Sequence, residues 1–140
     1  MVVEGLSCIL LVDDDDATNF IHERIIRSSG LNCHIEVCTS ARDALDFLSC
    51  TGDHSTLKAY PRPGIIFLDI NMPGMSGWDF LEAYESLPEE QQSRIILSML
   101  TTSLNPDDAD RAKNHKHLKD FLQKPLTVEM LRKIIKEQFE

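Results

Sequence analysis

The sequence predicts an open, doubly wound α/β domain. Two observations carry that expectation: short apolar runs alternate with segments of helical period along the chain, and 140 residues suit one domain with no linker, repeat or low-complexity tract to divide them. Five strands alternating with five helices imply a parallel sheet covered on both faces. Right-handed crossovers then wind the chain around that sheet.

The first expected strand, Cys8–Val12, is wholly apolar and stops at four aspartates, Asp13 to Asp16. A helix follows near Ala17–Ser29, with Asp15 or Asp16 as its N-cap and a further acid favouring the positive end of the dipole. Strand two is Ile35–Cys38, and helix two is Ala41–Cys50. Gly52–Gly64 is the longest unpatterned stretch, with Pro61 and Pro63 near its end, and reads as a surface loop longer than the usual connection. Strand three, Ile65–Leu68, runs into Asp69, and a helix near Gly77–Ser86 follows. Strand four, Ile95–Leu100, runs into Thr101, Thr102 and Ser103 ahead of a helix near Pro106–Asn114. Strand five, Phe121–Gln123, runs into Lys124 and Pro125. The last helix, Val128–Phe139, has the clearest pattern: Thr127 as N-cap, Glu129 in the first turn, and an apolar stripe through Val128, Leu131, Ile134, Ile135 and Phe139.

Composition narrows the function. With 14 Lys and Arg against 23 Asp and Glu, the formal charge is −9, which argues against binding nucleic acid phosphates or an anionic membrane. The start of the chain has no basic targeting region, and no stretch approaches the roughly 20 apolar residues of a spanning helix. The four cysteines, Cys8, Cys33, Cys38 and Cys50, form no CxxC pair and read as free thiols in a reducing cytosol.

In open α/β sheets, ligands bind outside the carboxyl ends of the strands. Those ends here carry a carboxylate cluster (Asp13 and Asp14), a lone carboxylate (Asp69), hydroxyls (Thr101 and Thr102) and an ammonium (Lys124). Asp15 and Asp16 fit helix capping; Asp13 and Asp14 fit it less well, because they stand at the strand end beside Asp69. Like charges ~4 Å apart repel by about 4 kcal/mol at an effective dielectric near 20. A hard cation relieves that, and Mg²⁺ typically takes one or two carboxylates plus water and phosphate. Each signal is weak singly. Together they are the parts for transferring a phosphoryl group to an aspartate.

These residues resemble the receiver domain of two-component response regulators, the chemotaxis-regulator-like, flavodoxin-like fold with strand order 2-1-3-4-5. The resemblance runs from about Ser7 to Phe139 through ILLVDDD, FLDINMPGMSG, MLTTS and FLQKPLT, in the family's order. It implies that Asp69 is the phosphoacceptor, that Asp14 ligates Mg²⁺ (or Mn²⁺) directly, and that Asp13 holds it mainly through water. Asp69 and the backbone carbonyl of Asn71 complete that metal site. It also implies that Thr101 and Lys124 contact the phosphoryl oxygens, that a cis peptide precedes Pro125, and that Thr102 is the small residue beside the phosphoryl group. Phe121 takes the aromatic switch position, and Gly77 matches the glycine eight residues beyond the acceptor. The run LTTSLNPDD and the Pro-containing loop before strand three are similar to stand-alone regulators that serve phytochrome-type kinases.

The resemblance therefore implies a single receiver domain over residues 1–140, with no output module, in the cytoplasm. Its partner would be a sensor histidine kinase or a histidine phosphotransfer protein, with a downstream target or second copy on the face of the fourth helix, fifth strand and fifth helix. An aspartate-based phosphatase of the haloacid-dehalogenase type is the rival, but that class needs a second acid two residues after its nucleophile, where this chain has Asn71. The Gly52–Gly64 loop is either a partner-contact insertion or inert. His115 and His117, with Lys113, Lys116 and Lys119, read as a solvated basic loop, because His-x-His without a third ligand is a poor zinc signal. Trp78 is expected either at an exposed partner surface or in the core. His22 lies on the first helix with no partner legible in the sequence.

Overall fold

The computed structural model describes residues 2–49, 63–88, 96–101, 106–115 and 118–139, with the side chains of residues 96–101, 119 and 120 left aside. In chain order the elements are β1 (Cys8–Val12), α1 (Asp16–Ser28), β2 (His34–Cys38), α2 (Ala41–Ser49), β3 (Ile65–Asp69), α3 (Gly77–Glu85), β4 (Ile96–Thr101), α4 (Pro106–Lys113), β5 (Leu118–Gln123) and α5 (Val128–Phe139). The sheet has the order β2-β1-β3-β4-β5, and every neighbouring pair is parallel. The doubly wound expectation and its strand order therefore stand.

The central strands explain why the sequence was readable. All five residues of β1 and all five of β3 are buried, because helices cover both faces of the sheet. Successive residues alternate between two cores. Leu10, Val12, Ile66 and Leu68 pack with α2 and α3 through Leu45, Leu48, Phe80 and Leu81. Ile9, Leu11, Ile65 and Phe67 pack with α1 and α5 through Ile26, Leu131, Ile134 and Ile135.

The edges of elements differ from expectation, mostly by one residue. Strand β5 differs more: it begins at Leu118 rather than Phe121, with a register irregularity between Leu97 and Ser98, which pair with Leu118 and Asp120. Lys119 is thus the extra residue of a bulge on the edge strand, where such irregularities concentrate. Strand β2, the opposite edge, starts one residue early at His34, whose ring meets Glu36 at 2.9 Å. Strand β4 carries Thr101 as its last residue rather than just beyond its end. Thr102, Cys50, His117 and most of the long loop before Pro63 lie outside the described residues. Among the described residues, no helix is long and apolar enough to cross a membrane.

Candidate functional site

The register brings the predicted residues to one edge. Val12 pairs with both Cys38 and Leu68, so Asp13 and Asp69 follow side by side at the carboxyl ends of β1 and β3. Backbone bonds fix Asp13: its N–H donates to the Cys38 carbonyl (3.1 Å), and its own carbonyl accepts from Asn19 Nδ2 (2.8 Å). Its Oδ1 accepts from the Asp15 N–H at 3.0 Å. Asp15 is the N-cap of α1, accepting from the Ala17 N–H and from Thr18 Oγ1. That settles which of the two candidate aspartates caps the helix.

Asp13 and Asp69 are buried, at 4% and 6% exposure, whereas Asp14 faces solvent. One carboxylate oxygen from each of the three lies within 4.8 Å of the others. The donor set is all hard oxygen, half-open to solvent, and suits Mg²⁺ or Mn²⁺. Lys124, in the loop after β5, supplies one compensating charge. Its Nζ bonds Asp13 Oδ2 and lies 3.1 Å from Asp69 Oδ1. The peptide bond from Lys124 to Pro125 is cis, as the resemblance implies.

Electrostatics at this edge follow from burial and charge. Burial pushes the Asp69 carboxyl up, Asp13 pushes it further, and the Lys124 ammonium with the Asn71 N–H only partly offsets both. Burial alone would lower the Lys124 ammonium, but the hydrogen bond and charge of Asp13, joined by Asp69, hold it above the ordinary lysine value. A divalent cation among the carboxylates would favour their ionised form and so oppose that rise at Asp69.

The other expected residues are placed as follows. Asn71 is exposed in the loop two residues past Asp69. Thr101 pairs with Gln123 at the end of β4. Phe121 pairs with Met99 and is half-buried against the core shared with α2 and α3. Gly77 is required sterically: its N–H donates to the Ile70 carbonyl (2.8 Å), and a Cβ there would lie 2.6 Å from the Asp69 carbonyl oxygen.

Three connections were not legible in the sequence. Trp78 is neither simply exposed nor simply core: Nε1–H donates to Asp108 Oδ1 (3.3 Å), and the Arg111 guanidinium lies 4.3 Å from the ring centroid. His115, expected in a solvated loop, pairs with Glu85 at 3.1 Å and so ties the end of α4 to α3. Asn19 and His22 are buried polar residues on α1, at 4% and 2% exposure, each bonded to the backbone of a site loop. Their signal was a polar pair three residues apart on the helix face that carries Ile26.

A family model described as the response regulator receiver domain matches residues 9–136. The response regulator Rcp1 of Synechocystis sp. is 29% identical over 127 residues, covering 91% of this chain and 82% of its own. A crystal structure of the Mn²⁺-bound form of response regulator Rcp1 has a TM-score of 0.74 at 27% identity, covering 93% of this chain and 92% of that one. A two-component response regulator from Cytophaga hutchinsonii has a TM-score of 0.82 at 30% identity, covering 94% and 96% of the two chains. The phosphorylated cyanobacterial phytochrome response regulator RcpA has a TM-score of 0.72 at 25% identity, covering 94% and 90%. With its carboxylates and lysine gathered at the sheet edge and the family match spanning nearly all of its length, this chain belongs to the response-regulator receivers of two-component signalling.

Proposed function

We propose that Asp69 accepts a phosphoryl group from the phosphohistidine of a sensor kinase or a histidine phosphotransfer protein. The observation that carries this reading is the meeting of Asp13, Asp14 and Asp69 within 4.8 Å, with Lys124 bridging Asp13 and Asp69. An Asp69 carboxylate oxygen attacks phosphorus and the P–N bond breaks. The departing imidazole keeps the bonding pair and takes up a proton, and an acyl phosphate remains on Asp69. Asp13, Asp14, Asp69 and the Asn71 carbonyl would hold the cation, which supplies positive charge for the phosphoryl oxygens. Lys124 supplies a second positive centre for the same oxygens.

Phosphorylation then acts on the α4–β5–α5 side. Thr101, the last residue of β4, would offer its hydroxyl to a phosphoryl oxygen, and Phe121 on β5, half-buried, would then turn its ring further inward. We read that face as the surface for a downstream protein or a second copy of the chain, and a phytochrome-type kinase as the donor. The likeness to the phytochrome regulator RcpA supports the latter.

The test is intact mass after incubation with Mg²⁺ and a small acyl-phosphate donor. One phosphoryl adduct is expected. Chelating the metal or substituting Asp69→Asn should abolish it, and Asp14→Asn should need far more Mg²⁺. An undiminished adduct on the Asp69→Asn protein would place the acceptor elsewhere.

A further inference from the structure

We infer that His22 is a positioning residue for Lys124, holding the loop after β5 so that the ammonium stays between Asp13 and Asp69. The inference rests on the reading of Lys124 as part of the phosphoryl site. Pro125 has no N–H, so the first backbone donor after Lys124 is the N–H of Leu126. That N–H donates to His22 Nε2 at 3.2 Å. Leu126 and His22 are almost fully buried, at 1% and 2% exposure, so no bulk solvent competes for this bond. Because Nε2 accepts, the ring is neutral with its proton on Nδ1.

The bond belongs to a closed circuit through the site. One helix, α1, holds the Asp13 carbonyl through Asn19 and the Leu126 amide through His22, three residues further on. The circuit is completed where Lys124 Nζ bonds the Asp13 carboxylate. His22, Lys124 and Pro125, with Thr18 and Ile21, also line a cavity of about 250 Å³. Lys124 borders that space, and an anchored backbone two residues on limits how far its stem can move into it. A helix is a rigid element, so the distance between the acidic and basic halves of the site is set by α1 rather than by either loop.

Burial lowers the affinity of His22 for a proton, with Lys124 acting in the same direction and Asp13 opposing it. That keeps the acceptor form available near neutral pH.

The test compares His22→Leu, which cannot accept the bond, with His22→Gln, whose amide oxygen can. Adduct formation on Asp69 is followed at saturating Mg²⁺, with Mg²⁺ affinity measured separately. His22→Leu should slow the limiting rate about tenfold, the scale expected when a charged group is misplaced by a fraction of an ångström. Mg²⁺ affinity should stay within about twofold, because the carboxylates are untouched. His22→Gln should recover most of the rate. In a Lys124→Ala background, His22→Leu should slow the residual reaction no further, which a general loosening of the fold would not reproduce.

An unchanged rate in His22→Leu, or the same loss with and without Lys124, overturns the inference. If His22→Leu does not fold, the wild-type protein decides: a coupling across the hydrogen bond from the Leu126 nitrogen to His22 Nε2 is expected by NMR, and its absence overturns the inference as well. A wild-type chain that forms no adduct defeats the underlying reading and this inference with it. A reactive wild type beside an unaffected His22→Leu protein defeats the inference alone.

Discussion

Gly77 shows how one residue without a side chain protects the site. A Cβ at this position would lie 2.6 Å from the Asp69 carbonyl oxygen and 2.8 Å from Ile70 Cα, and backbone atoms of a buried strand end cannot step aside without moving Asp69. Gly77→Ala should therefore cost about 1–3 kcal/mol, the usual range for overpacking. Urea denaturation measures that loss. Adduct formation on Asp69 should slow in the same protein even where it remains fully folded. Wild-type stability and rate together would show that the strand end has slack.

At the scale of elements, α4 is thinly buried. Ala112 is its one buried residue among those described, so side-chain contacts with α3 add to its packing on β5. Those contacts are Asp108 to Trp78 Nε1, Arg111 above the Trp78 ring, and His115 to Glu85. An exposed cation–π contact contributes about 0.5–1 kcal/mol, so Arg111→Ala should speed amide exchange across α4 by roughly two- to fivefold while β1 and β3 are unaffected. Exchange measured residue by residue checks this, and an unchanged α4 would mean that Arg111 does not restrain it. The sequence conveyed central elements better than peripheral ones for a physical reason. Strands β1 and β3 are buried on both faces and so are uniformly apolar, and the residues after them could be assigned to the sheet edge. The edge strand β5 tolerates Lys119 and Asp120, which hid its first turnings. Pairings such as Trp78 with Arg111 or His22 with Leu126 join positions far apart in the chain, where no local period reports them.

The whole molecule carries buried thiols that couple its stability to alkaline pH. Burial, with Cys33 and Glu36 adding to it, pushes the Cys8 thiol from 9.0 up to about 12, and burial with Asp43 pushes Cys38 up as well. A raised folded-state value means that the unfolded chain loses these protons first. The Cys8 contribution is therefore complete below about pH 9 and is lost progressively as pH rises toward about 12. Urea midpoints should fall over that interval, and Cys8→Ala, although less stable throughout, should show a shallower fall. A Cys8→Ala slope equal to that of the wild type would remove the thiol as the cause. At the opposite end of the charge balance, Lys124 stands between Asp13 and Asp69 as a built-in counter-ion. Three carboxylates less one ammonium leave the cluster a charge of −2, which a single divalent cation cancels. A monovalent ion leaves half of that charge uncompensated. Discrimination against sodium and potassium in a salt-rich medium thus begins with charge balance, ahead of any preference in coordination geometry.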